Sequence, residues 1–166
     1  MKWIAVAGGW RKTDFAVEEQ IRTEIRRLIH QGNGLVSGGA LGVDFIATDE
    51  ALFQNISVNQ LKIILPSTLA RYADHYLQRA MEEVITRQQA MQLICQLEQI
   101  QSMGCLIEGD FLVIDQSAYF NRISKIIDVA DELIAFDINQ TAGTQDTIKK
   151  AQKKGIPVKV FSYSIE

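Results

Sequence analysis

Five short, mostly apolar runs constrain this chain more than any other feature: Ile4–Ala7, Leu35-Val36, Leu61–Leu65, Glu132–Phe136 and Val158–Phe161. Strands buried on both faces read as continuous apolar runs, whereas half-exposed strands alternate. Longer stretches with helical spacing lie between these runs. From Asp14 onward, Val17, Ile21, Ile25 and Leu28 fall on one helical face. Asp14 is placed to cap that helix, and Gly32-Asn33-Gly34 to end it. A second helix is expected from Val43 to Leu52. A last one runs from Thr144 to Lys154, closed by Gly155 and followed by Pro157. Strands alternating with helices imply a parallel sheet covered on both faces. The expected fold is α/β: a doubly wound, mostly parallel Rossmann-like sheet, built as one domain over residues 1–166.

Two stretches fit this plan less simply. Residues 69–103 read as a long helical segment whose apolar residues, from Leu77 to Ile100, are interspersed with glutamines. Packing on the sheet explains that stripe, and a homodimer contact is the second reading. Leu106-Ile107 and Phe111–Ile114 read as short strands around Gly109-Asp110.

Composition removes several function classes. With 47% hydrophobic and 22% charged residues, the chain is an ordinary globular one. Its longest apolar runs are far short of a membrane span, and the first residues lack the pattern of a signal peptide. A cytoplasmic protein with no membrane partner is expected. Cys95 and Cys105 have no metal-ligand spacing. His30 and His75 each fall within a helical pattern with no ligating neighbour, so no metal site is expected. The net charge of −3 argues against nucleic acid as the partner. Lys149, Lys150, Lys153 and Lys154 cluster where a helix ends, and positive charge there complements the helix dipole.

In open parallel sheets, ligands bind beyond the carboxyl ends of the strands. That rule singles out four loops. Ser37-Gly38-Gly39-Ala40-Leu41-Gly42-Val43-Asp44 follows the second strand. Glycines there let a phosphate approach backbone N–H groups at a helix start. A tight turn is the competing explanation. The spacing matches neither a dinucleotide fingerprint nor a P-loop. Asp44 would fix the loop or contact a ribose. Gly8-Gly9-Trp10-Arg11 repeats the logic after the first strand, with Trp10 available for stacking and Arg11 for an anion. Gly143-Thr144 opens the last helix, where Thr144 would cap the helix or donate to phosphate. Asn121-Arg122 is placed at a helix start. There Arg122 would either pair with Asp128 or Asp131, or grip an anion.

Together, Gly8-Gly9-Trp10-Arg11, Ser37–Asp44, Asn121-Arg122, Gly143-Thr144 and Gly155-Ile156-Pro157-Val158 resemble the SLOG superfamily. That group includes the DNA-processing protein A domains and the LONELY GUY-type phosphoribohydrolases. The resemblance implies binding of a nucleotide or nucleotide-derived phosphate ligand, as sensor or carrier, with no cofactor beyond that ligand. It also implies two alternatives: a nucleoside monophosphate phosphoribohydrolase and a single-stranded DNA-binding recombination accessory. The phosphoribohydrolases carry PGGxGTxxE. Here Asn139-Gln140-Thr141 replace the Pro-Gly-Gly and Thr147 replaces the glutamate, so no catalytic residue is assigned.

Overall fold

The computed structural model describes residues 1–166. Its strands are β1 (Trp3–Gly8), β2 (Gly34–Gly38), β3 (Leu61–Ile64), β4 (Leu106–Ile107), β5 (Glu132–Ile138) and β6 (Val158–Tyr163). All pair in parallel, in the order β4-β3-β2-β1-β5-β6. The helices are α1 (Phe15–His30), α2 (Val43–Phe53), α3 (Leu69–Met81), α4 (Arg87–Ser102), α5 (Gln116–Val129) and α6 (Ala142–Lys154). This is the doubly wound Rossmann-like sheet that the apolar runs imply. No helix is long and apolar enough to cross a membrane.

The two sheet faces bury different helices. Ile4, Val6, Ile63, Ile134, Phe136 and Ile138 pack with α1, α2 and α4 in the larger core. Their neighbours Ala5, Val36, Ile64, Leu133 and Ala135 point the other way, onto Ile123, Ile126 and Ile127 of α5 and Ile148 and Ala151 of α6. Successive side chains alternate across a strand, so each apolar run feeds both cores. The chain starts at the centre of the sheet, builds outward to β4, then crosses over to β5 on the other side of β1. Strand order therefore reverses around β1, and a crevice opens there at the carboxyl end.

Local sequence explains most boundaries. Asp14 caps α1 by accepting from the Val17 N–H, and Gly155 closes α6 at φ +82°. The stretch over residues 69–103 is two helices rather than one continuous segment. Thr86 forms a reciprocal capping box with Gln89, which starts α4 afresh, and Glu83 at φ +59° turns the chain between the two. The apolar stripe packs inward: Ala90, Leu93, Leu97 and Ile100 are buried in the larger core, while Met81 and Met91 stay exposed.

Phe111–Ile114 is not a strand. β4 is the sheet's edge and only two residues long, so the segment after it has no strand to pair with. It forms a loop instead, pinned by the Ser67 hydroxyl donating to the Phe111 carbonyl and by the Phe111 N–H donating to the Pro66 carbonyl. Two lysines of the cluster, Lys150 and Lys154, serve α5. Lys150 Nζ donates to the Phe120 carbonyl, and Lys154 Nζ to the carbonyls of Ile127, Asp128 and Ala130 at the end of α5.

Candidate functional site

A cavity of about 530 Å³ opens at the carboxyl ends of β1 and β2, under α3, α5 and the first turn of α6. Its floor is the opening glycine loop. Ser37 is fully buried, and its hydroxyl shares one proton between the Val6 carbonyl at 2.7 Å and Asp44 Oδ1 at 3.1 Å. Asp44 Oδ2 accepts from the Ala40 N–H, so this carboxylate ties both ends of its own loop. A Cβ on Gly38 would lie 2.8 Å from Arg122 Cζ and 2.8 Å from Asp44 Oδ2. Only a glycine there lets those two charged side chains converge over the end of β2.

Arg122 is 7% exposed. Its Nη1 donates to the Tyr72 hydroxyl at 3.3 Å, its Cζ lies 5.1 Å from the Tyr119 ring centroid, and its Nε has no partner. Burial works against its charge, but Tyr72 and Asp44 more than offset this and the group stays protonated. Burial pushes the Asp44 carboxyl above its ordinary range, with Arg122 opposing the shift. The cavity thus holds a protonated guanidinium with unused donor capacity.

The predicted residues divide into those that face this space and those that support it. Gly8, Trp10, Gly38, Ala40, Asp44, Arg122, Gly143 and Thr144 line the cavity. Gly39 does not; its Cβ position lies 2.5 Å from Leu65 Cδ2, against the core. Gly42 also supports. At φ +78° its Cβ would sit 2.5 Å from the Gly9 carbonyl oxygen and 2.7 Å from the Arg11 nitrogen, and Val43 N donates to Gly9 O. The two glycine loops are thereby packed back to back. Arg11 points away, its Nη1 donating to the Val84 carbonyl.

Three sequence expectations need correction. Asn121-Arg122 lies in the middle of α5, because Asp115 caps that helix six residues upstream of Asn121 by accepting from the Ala118 N–H. Asn121 then falls on the exposed face and Arg122 on the buried one. Arg122 faces Asp44 and Tyr72 instead of Asp128 or Asp131. The residue capping α6 is Thr141, one turn earlier than Thr144, and its hydroxyl is bonded to Thr144 Oγ1 at 2.9 Å. Gly143 has open space above it, so the first turn of α6 faces the cavity without obstruction.

One wall was not read from the sequence at all. His75, Tyr76 and Arg79 of α3 line the cavity opposite α6, with Tyr119 and Phe120 of α5 beside them. Tyr72 lies behind them, fully buried, its ring 5.0 Å from that of Tyr76. Tyr72, His75, Tyr76 and Arg79 follow helical spacing, a stripe that polarity conceals from a search for apolar periodicity. His75 Nε2 lies 3.2 Å from the Tyr119 hydroxyl, and burial, with the Arg79 charge, lowers its pKa. Thr147 lines the cavity as well, but its hydroxyl donates back to the Gly143 carbonyl at 2.8 Å. No group of histidine, cysteine or carboxylate side chains is arranged to hold a metal.

No family model and no curated protein matches the sequence. Solved structures do match. DNA processing protein A from Helicobacter pylori, described for its unique single-stranded DNA binding mode, is 24% identical with a TM-score of 0.68, over 96% of this chain and 64% of that one. DNA processing protein A from Streptococcus pneumoniae is 18% identical with a TM-score of 0.65, over 99% of this chain and 51% of that one. TM1055, a structural-genomics target, is 17% identical with a TM-score of 0.55, over 95% of this chain and 72% of that one. The chain therefore spans less than two thirds of either DNA processing protein. What it shares with them is the fold, a doubly wound Rossmann-like parallel sheet.

Proposed function

We propose that the cavity binds a nucleotide or nucleotide-derived phosphate ligand. The observation that carries this reading is Arg122, buried with an unpartnered Nε over the end of β2. A buried charge normally acquires hydrogen-bonding partners, because stripping its hydration is costly. An anion accepting from Arg122 would supply them. The first turn of α6 faces the same space, and helix N-termini favour anions. The aromatic wall of Tyr76, Tyr119 and Phe120 offers a surface for a base.

Titration of purified, ligand-free protein with AMP by calorimetry tests the reading directly. Saturable binding, lost in Arg122→Ala, is the expected result. Absence of heat and of thermal stabilisation with AMP and with other nucleoside phosphates would reject it.

A second reading follows from the fold shared with DNA processing protein A: binding of single-stranded DNA. It predicts an affinity that falls steeply with salt. The acidic balance of the chain weighs against it, as does the use of Lys150 and Lys154 in holding α5. An oligonucleotide gel shift at low salt separates the two readings. Hydrolysis of an N-glycosidic bond has less support, because α6 places Thr147, tied to its own helix, where the phosphoribohydrolase pattern has a glutamate. Base release from AMP would revive it.

A further inference from the structure

The cavity has a second cationic end. Arg79 is one helical turn beyond His75 on α3 and lines the same space as Arg122. Its Nη1 pairs with Glu82 at 3.2 Å, but its Nε is buried without a partner. The two guanidiniums come from different helices, Arg122 from α5 and Arg79 from α3. Arg122 lies over the Tyr119 ring, while the Tyr119 hydroxyl reaches His75, and the Arg79 charge acts on both His75 and Tyr119.

The carboxylates of the lining do not cancel these cations fully. Asp44 holds Ser37 and Ala40, and Asp115 caps α5. Two guanidiniums with unused donors, presented by different helices to one cavity, suit two anionic groups on separate parts of one ligand.

We propose that the site takes a nucleoside bisphosphate, with one phosphate on Arg122 and the first turn of α6 and the other on Arg79. This rests on the nucleotide reading above. It adds α3 to the site as the element that sets specificity.

Calorimetric titrations of the full chain with AMP, ADP and adenosine 3′,5′-bisphosphate, at one ionic strength, provide the test. The bisphosphate is expected to bind at least about tenfold more tightly than AMP, with ADP close to AMP. Arg79→Gln should bring the bisphosphate down to about the affinity of AMP, a loss at least about tenfold larger than any change in AMP itself. Lys125→Gln, which removes the same charge from the exposed face of α5, should alter neither. Glu82→Gln frees Arg79 and should tighten the bisphosphate alone, by about threefold. Melting curves confirm that the variants fold.

Equal binding of AMP and the bisphosphate by the unaltered chain would overturn this inference and leave the nucleotide reading standing. So would ADP matching the bisphosphate, or Arg79→Gln weakening all three ligands alike. Failure of all three to bind would overturn both.

Discussion

Glu50 and Arg122 are buried almost equally, at 3% and 7% exposure, yet their surroundings differ in kind. Glu50 sits between α1 and α2, where Arg22, Arg26 and Gln54 all donate to it. Glu24, also buried, accepts from Gln20, Arg27 and Lys159. Arg122 takes part in no ion pair and makes a single long hydrogen bond. At Glu50 and Glu24 this fold surrounds buried charge with donating partners. Where it leaves a buried charge short of partners, the charge faces a cavity. The contrast sets an ion held by its own fold against one whose spare donor the proposed ligand would take.

The largest effect that sharpens this contrast is on binding. Arg122→Ala should weaken AMP by about a hundredfold or more, since an anion would lose a charge-assisted donor in a desolvated site. Its thermal midpoint should fall as well, because buried Asp44 loses its facing cation, so binding is read at a temperature where the variant is folded. A protein whose midpoint collapses, with AMP affinity intact, would break the comparison.

The next effect is on stability. Glu50→Ala should cost about 2 kcal/mol in urea unfolding, below the full range for breaking buried pairs because Arg22 and Arg26 are partly solvated. AMP affinity should stay the same.

A smaller effect comes from pH, with opposite signs for two of the buried carboxylates, Glu50 and Asp44. Interactions with Gln54, Arg22 and Arg26 outweigh burial at Glu50 and hold its pKa below the ordinary 4.5. Its contribution to stability is present above that value and is lost as pH falls through the folded pKa. Burial raises Asp44 above its ordinary 3.8 despite Arg122. The folded state then retains that proton more readily, so ionisation of Asp44 lowers stability as pH rises from 3.8 through the folded pKa. Urea titrations of Glu50→Gln and Asp44→Asn at pH 4 and pH 7 check both signs. The deficit of Glu50→Gln should shrink at the lower pH. Asp44→Asn should compare more favourably with the parent chain at the higher pH.

The smallest effect on binding falls on the supporting loop. Gly39→Ala should destabilise by about 1–3 kcal/mol through overpacking against Leu65 and Leu97. It should leave affinity for AMP nearly unchanged, because Gly39 does not line the cavity. A variant with parent-like stability and no AMP binding would return Gly39 to the site.

The sheet was legible because its signal is local: Ile4–Ala7 or Leu133–Phe136 can be little other than buried strand. The glycine loops were legible for the same reason. What escaped was whatever depends on where a helix begins. Thr86-Arg87-Gln88-Gln89 carries a capping box in plain view, yet a helical pattern across residues 69–103 hides the break. Asp115 moves the start of α5 upstream and so turns Arg122 inward. Phe111–Ile114 has the composition of a strand and no neighbour to pair with. The Tyr72-His75-Tyr76-Arg79 stripe escaped because its polar atoms conceal a buried face, and only the fold brings it over Arg122.

The back-to-back packing of Gly42 against Gly9 and Arg11 has a kinetic consequence. With both loops braced by each other's main chain before any ligand arrives, the floor of the cavity needs no ordering step. Under pseudo-first-order mixing, the observed association rate should rise in proportion to ligand concentration, without a plateau from a slow conformational change.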